Sequence, residues 1–582
     1  MTKYLVSAAI IAALCIFFLT GCANIGSPTG GIKDTIPPSI LESEPANFST
    51  NVKTNKFRVY FDEYIKFDDI NNKLVVSPPL SKKPKVTLRG KSFVVSFEDT
   101  LRDNITYTFS FADAIQDNNE GNPYKDFTYV FSTGSIVDTL DFHGSVIRAV
   151  DHKAEENVVV ALYNNFDDSI CIKERPLYIT KADKESGFFV FRNIAEGKYK
   201  IFAFKELNNN LIYDQAGEAI AFSDEPVEIA APIVDEENSF LNFNADSSVV
   251  DAPEIHQHLT LFMFMEDRDQ QYLKDYKREK PNKLSLELNT EYNDVIGITP
   301  LNFDSKEWFV KDYSVDKKLF NYWLTDTTIA KLDTLKLKVD YLATDSLYKL
   351  SWRTDTLKVV YKKDKNKQEG KFNTQLNISS KLELFDSLDI IASEPISKFD
   401  ITQISLSVFV DTIETPVPFK VVDDETSLLK KRVLFNRKPG AKYHFTALPN
   451  AFQNYSSDIN DTLDVNFSVP ELDSYGIVKL TYSADLYPQI VQLLKADKDN
   501  EKVIREFFID KDTLLTIPHL TPDKYLIKSI YDANGNKKWD TGEYLKHIQP
   551  EQVRYLNKDN VLEEVIVKEN WDVELVWDII LK

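Results

Sequence analysis

Phe57-Arg58-Val59-Tyr60-Phe61, Ser92-Phe93-Val94-Val95-Ser96-Phe97 and Thr106-Tyr107-Thr108-Phe109-Ser110-Phe111 alternate apolar with polar residues. Successive side chains of an extended strand point to opposite faces, so each segment reads as a strand with one buried face. The aromatic and β-branched residues that dominate them suit a pleated, half-buried surface. Pro-Pro, Asn-Asn, Gly-Asn and Asp-Asn pairs punctuate the chain between such runs at sandwich-like intervals. The texture continues through Thr334 to Tyr341 (TLKLKVDY) and Tyr348 to Tyr361, and only Glu266 to Arg278 offers a short amphipathic helix. The fold class that follows is all-β, a series of β-sandwich domains. With 43% apolar and 12% aromatic residues the 582-residue chain can fill several cores, and its length suits roughly four or five domains.

The 69 basic and 90 acidic residues leave a net charge of −21. Such a field repels phosphate backbones, so nucleic acid is not an expected partner; a solvated surface or cation binding is.

Residues 1–21 have the form of a lipoprotein signal peptide: Lys3, an apolar run from Tyr4 to Phe18, then Leu19-Thr20-Gly21 before Cys22. The run falls short of the roughly 20 residues a bilayer span needs. Cys22 is the expected lipidation site, its thiol taking diacylglycerol, with a plain secretory signal or a short anchor as the alternative. Residues 22–36 read as a tether, rich in Gly, Pro, Ser and Thr. The expected location is therefore the outer membrane, lipid-anchored, on either its cell-surface or its periplasmic face. Cys15 goes with the signal and Cys171 stands alone, which leaves no intramolecular disulfide.

Residues 37–135 resemble the bacterial Ig-like domain of the S-layer type. The residues that carry this are Ser43-Glu44-Pro45, FRVYFDEYI at Phe57 to Ile65, Val75 to Pro78, AIQDNNEGN from Ala114, and Tyr129 to Gly134. Tyr64 stands where that family usually has proline. The whole chain also resembles Bacteroidota lipoproteins with Pro-Thr-Gly-Gly-x-Lys-Asp after the cysteine, as in Pro28 to Asp34, and a Trp-Asp-Val-Glu strand near the end, as in Trp571 to Glu574. That second resemblance implies an envelope protein and no particular activity.

Two internal repeats organise the remainder. Residues 194–214 align without gaps on 520–540, an offset of 326; residues 106–131 match 442–467 at 336, Tyr107 with Tyr443, Phe109 with Phe445, Asn118 with Asn454 and Phe131 with Phe467. A two-domain unit is thus expected twice. The first copy comprises residues 37–135 and a smaller sandwich at 140–245. The second comprises an S-layer-type Ig-like domain at 372–470 and a smaller sandwich at 475–582, with another Ig-like or β-rich domain at 255–370 between the copies. The smaller sandwiches resemble the transthyretin-like, carboxypeptidase-regulatory class, on Gly187 to Phe191, Asn193-Ile194 and Gly197 to Ile201.

The strongest chemical pattern is Asp532, Asn534, Asn536, Lys538, Asp540 and Glu543. Counted from Asp532, side-chain oxygens fall at positions 1, 3, 5, 9 and 12 and the Lys538 carbonyl at 7, the spacing of a calcium loop. Glycine, however, sits at position 4 instead of 6. The first repeat offers Glu206, Asn208, Asn210, Asp214 and Glu218, with one extra residue before its last acid. Turn chemistry alone would also select Asn, Asp and Gly here. Structural calcium is the one cofactor the pattern suggests, and none is required.

His256 and His258 would share a strand face as a zinc pair would, without an evident third ligand. No serine elbow, zinc-protease motif or phosphate loop occurs, and 17 glycines leave little room for such loops. No catalytic residues are assigned and the chain is not expected to be an enzyme. The expected function is that of a structural or interaction subunit of an envelope complex serving outer-membrane protein assembly, secretion or import. The partners expected are the membrane, through the lipid, and an outer-membrane protein. The alternative is a glycan-binding or adhesive surface lipoprotein, with the six scattered tryptophans as its sugar platforms.

Overall fold

The computed structural model describes residues 34–579 except 216, 232–257, 268–269, 346–348, 363–370, 497–500 and 559–560. The signal peptide, Cys22 and nearly all of the tether lie outside the described residues. Within them the chain is all-β, and no helix exceeds four residues.

Three sandwiches share one strand order. In the first, Ile40–Glu44, Lys56–Phe61, Ser92–Ser96 and Lys85–Leu88 form one sheet, while Thr128–Ser132, Thr106–Ser110 and Val75–Ser77 form the other. Counting the seven strands along the chain, the sheets run first-second-fifth-fourth and seventh-sixth-third, the order of a constant-type immunoglobulin sandwich. The same order recurs between Leu273 and Val360. It recurs again between Thr374 and Ser468, where Ile413–Pro416 adds a strand to the edge. The alternating aromatics meet in the first core, where Phe57 stacks on Tyr129 at 3.8 Å between centroids.

Two details tie the first and third of these sandwiches together. The Tyr107 hydroxyl accepts the backbone N–H of Arg102 at 2.9 Å, and the Tyr443 hydroxyl that of Lys438 at 2.8 Å. Both are tyrosine corners. Each ring also stacks on its partner aromatic, Phe131 at 5.6 Å and Phe467 at 5.4 Å. At the next hairpin the register corrects the alignment by one residue. Ile65 pairs with Asp117 and Ile396 with Asn454, so Asp117, not Asn118, corresponds to Asn454. The extra residue lies between Ala447 and Ala451.

The stretch Glu266 to Arg278 does not form the expected helix: Leu273–Lys280 is an edge strand paired with Lys283–Leu288. Its charges imitate a polar helix face but serve a sheet edge, where lysines deter further pairing. Arg278 alone turns in, its guanidinium donating to the carbonyls of Pro281, Ala330 and Leu332.

The two smaller sandwiches agree strand for strand. Leu140–Arg148, flanked by Phe188–Ile194 and Leu259–Met263, faces a sheet of Tyr178–Lys181, Val158–Tyr163, Gly197–Lys205 and Ile220–Phe222. In the second copy Gly476–Ala484, flanked by Thr513–Leu520 and Asp572–Ile579, faces Glu501–Ile509, Gln489–Ala496, Asp523–Tyr531 and Val553–Tyr555. In both, the last strand runs parallel to the first. The first copy therefore continues past 245 to Met263, and the segment 255–370 is divided between two domains.

Candidate functional site

The residues singled out by their oxygen spacing lie in two equivalent loops, whose ends at Tyr213 and Trp539 reach the place where the two small sandwiches meet. In the first copy Glu206 begins the loop and accepts the backbone N–H groups of Asn208, Asn209 and Leu211. The carboxamides of Asn208 and Asn210 both donate to Asp214, at 3.0 and 2.8 Å. Glu218, fully buried, closes the loop by accepting from Leu207, Asp214 and Gln215. Burial raises its pKa above the ordinary carboxylate value.

The second loop repeats this arrangement. Asp532 accepts from the N–H groups of Asn536 and Lys537, and Asn534 and Asn536 donate to Asp540. Its closing acid is not Glu543. Glu551 takes that place, accepting from Ala533 at 2.8 Å and Asp540 at 3.0 Å, with its pKa likewise raised by burial. Glu543 turns outward to Lys546 at 2.8 Å, and the Lys538 side chain reaches Glu291 of the middle domain. The strand pairings give the reason: Ile220 sits opposite Phe204, and Val553 opposite Ile530. Glu218 thus corresponds to Glu551, and the second copy carries seven extra residues, 541–547.

Those seven residues build the seam. They place Tyr544 in a pocket of the first sandwich, where it is 1% exposed. Its ring meets Phe202 at 5.6 Å and Phe222 at 5.4 Å, edge-on, beside Ile170 and Cys171. Its hydroxyl donates to the carbonyl of Asp168, and its backbone N–H to Glu266 at 2.6 Å. Glu266 also accepts from the Tyr213 hydroxyl at 2.7 Å, so one buried carboxylate links the two copies. The Lys528 ammonium donates to the Val150 carbonyl, and Thr541 to that of Met265. Trp539 packs against both outer sheet faces, its ring N–H held by the Glu551 carbonyl at 3.0 Å.

Sequence reasoning singled out Asp532, Asn534, Asn536, Asp540 and their four counterparts, which do converge in pairs of loops. It missed Glu551 and Tyr544. The signal available was the interruption of an otherwise gapless repeat just after Asp540. His256 lies outside the described residues; His258 bonds Ser145 at 3.0 Å, and its ring neighbours His143 at 5.9 Å. Cys171 is fully buried. Among the described residues no three His, Cys, Asp or Glu side chains gather as metal ligands, and no helix is long and apolar enough to cross a membrane.

A chain of Ig-like and smaller sandwiches in series is the class that fold and seam define. Residues 34–133 match the family model of the bacterial Ig-like domain. No curated protein matches the chain. Among solved structures it is similar to the S-layer protein SbsC at 12% identity, covering 91% of this chain and 68% of that one with a TM-score of 0.13. The human desmocollin-1 ectodomain is similar at 11%, with 75% of each chain covered and a TM-score of 0.12. The major pilin subunit BcpA of Bacillus cereus is similar at 10%, with 75% and 99% covered and a TM-score of 0.13.

Proposed function

We propose that this chain is a non-enzymatic lipoprotein of the Bacteroidota type, anchored in the outer membrane through Cys22, that acts as an interaction subunit of an envelope complex. The observation that carries the reading is the seam: a buried tyrosine and a shared carboxylate fix two sandwich units against each other, which suits a scaffold that holds docking surfaces in place. Compartment is inferred from Leu19-Thr20-Gly21-Cys22 alone. Affinity purification of the tagged chain from native outer membranes in mild detergent tests it. A stoichiometric envelope protein in the eluate is the expected result, and recovery of the chain alone overturns it.

A glycan-binding or adhesive role is the second reading, favoured by Trp352 and Trp571, which are 62% and 55% exposed. Tryptophan fluorescence unchanged across a polysaccharide panel would retire it. We also propose that calcium occupies the paired loops as a structural ion. The donor set of Asp532, Asn534, Asn536 and Asp540 suits a hard cation once the carboxamides turn their oxygens inward. The prediction is a rise in thermal midpoint in calcium over chelator, lost in Asp540→Asn; equal midpoints dismiss the ion.

A further inference from the structure

The first Ig-like domain meets the first small sandwich along a cleft of about 600 Å³, within the roughly 300–1,000 Å³ of small-molecule sites, which favour domain interfaces. One wall comes from residues 69–86, the other from 157–159 and 175–181, with the loop 206–211 at its end. Contacts between the domains hold the walls: Ile179 donates its N–H to the Ser77 hydroxyl at 3.1 Å, and the Arg175 guanidinium donates to the Leu80 carbonyl at 2.9 Å.

The charge of the cleft opposes that of the chain. Lys82, Lys83, Arg175 and Lys181 line it against only Asp69 and Glu206, whereas the whole protein carries −21. Lys82 is paired with Glu98 at 2.9 Å. The other three form no ion pair among the described residues; Lys181 donates to the Asn72 carbonyl at 2.6 Å and Lys83 to that of Asn71 at 3.4 Å. Asp69 is engaged by the Asn72 carboxamide, and Glu206 by its own loop. The Arg175 Nε is buried without an acceptor, a state that native proteins seldom leave unanswered. At physiological ionic strength, charges beyond about 8 Å are largely screened, so this local set decides which ions enter. Leu74, Val76, Leu80, Ile179 and Leu211 supply apolar wall between the cations.

We propose that this cleft is a binding site for a small organic anion, a carboxylate, sulfonate or phosphate on a partly apolar body, with Lys83, Arg175 and Lys181 receiving the charge. Because both walls contribute, the bound anion also fixes the two domains against each other. The cleft borders the seam through Val159, Ile179 and Leu211, but Lys83, Arg175 and Lys181 lie outside that cluster, so anion binding is read separately from partner capture.

Titration of the full chain with anilinonaphthalene sulfonate, an organic anion with an apolar body, tests the inference. The expected result is saturable fluorescence at one site per chain, competed by inorganic phosphate. Affinity should fall at least tenfold in Lys83→Glu and in Lys181→Glu, each with native near- and far-ultraviolet circular dichroism, and stay unchanged in the distant control Lys56→Glu. Absence of saturable binding, or equal binding by the two cleft variants and the control, overturns it.

Discussion

Tyr544 shows how much one side chain can carry. It is buried in a domain other than its own, with rings of Phe202, Tyr213 and Phe222 around it and a carbonyl at its hydroxyl. Emptying such a site costs about 3–5 kcal/mol by analogy with buried aromatic truncations, so Tyr544→Ala should lower chemical stability by that order. Tyr544→Phe, which loses only the hydrogen bond, should cost about 1 kcal/mol. Denaturant midpoints distinguish them, and equal effects would place the energy in the hydroxyl. His152 lies in the same seam, its ring 5.4 Å from both Phe262 and Tyr555. Burial first, then Arg554 and Lys528, lower its pKa to about 4, against the pull of Asp151. In the unfolded chain it protonates near 6.5, so between 6.5 and about 4 the unfolded state binds more protons and stability falls as pH falls. His152→Phe should lessen that fall, measured as urea midpoints at pH 7.5 and 5.0. An unchanged difference between the two midpoints would mean the imidazole titrates freely.

At the scale of elements, the period-two alternation of Phe57 to Phe61 and its companions was legible because large apolar side chains take one face of each strand and polar ones the other, whether that second face is partly exposed, as in Lys56–Phe61, or covered, as in Thr106–Ser110. Leu273–Lys280 was not, because a charged sheet edge and a polar helix differ in pairing and hardly in composition. The loop acids divide the same way. Asp532 to Asp540 could be read because ligands and turn caps sit at fixed short offsets from one another. Glu551 could not, because seven residues intervene that have no counterpart after Asp214, and only the pairing of Val553 with Ile530 reveals them as an insertion. Deleting 541–547 should restore the shorter loop of the first copy. The second sandwich should then keep its far- and near-ultraviolet circular dichroism while the radius of gyration rises. A collapsed near-ultraviolet signal would make the insertion part of that sandwich's own core.

For the whole molecule, duplication and divergence explain the plan. One copy of the small sandwich closes its loop directly after Asp214, and the other extends the same loop and sets its tip into the first. The middle domain is held more locally, through Lys280 and Asn282 to the buried Glu394, which also accepts from Asn454. The repeats are visible in the chain itself; the face-to-face seating is not, since it depends on outer sheet faces whose apolar residues, Phe202, Phe204, Ile490 and Ile530 among them, look like ordinary core positions. A scaffold role requires that seating to persist in solution. The direct measurement is size-exclusion chromatography of the chain cut at a protease site introduced at residues 268–269. The seam predicts that the two fragments elute together at the mass of the uncut chain and separate once Tyr544→Ala is introduced. Fragments that part on cleavage without that substitution would contradict it.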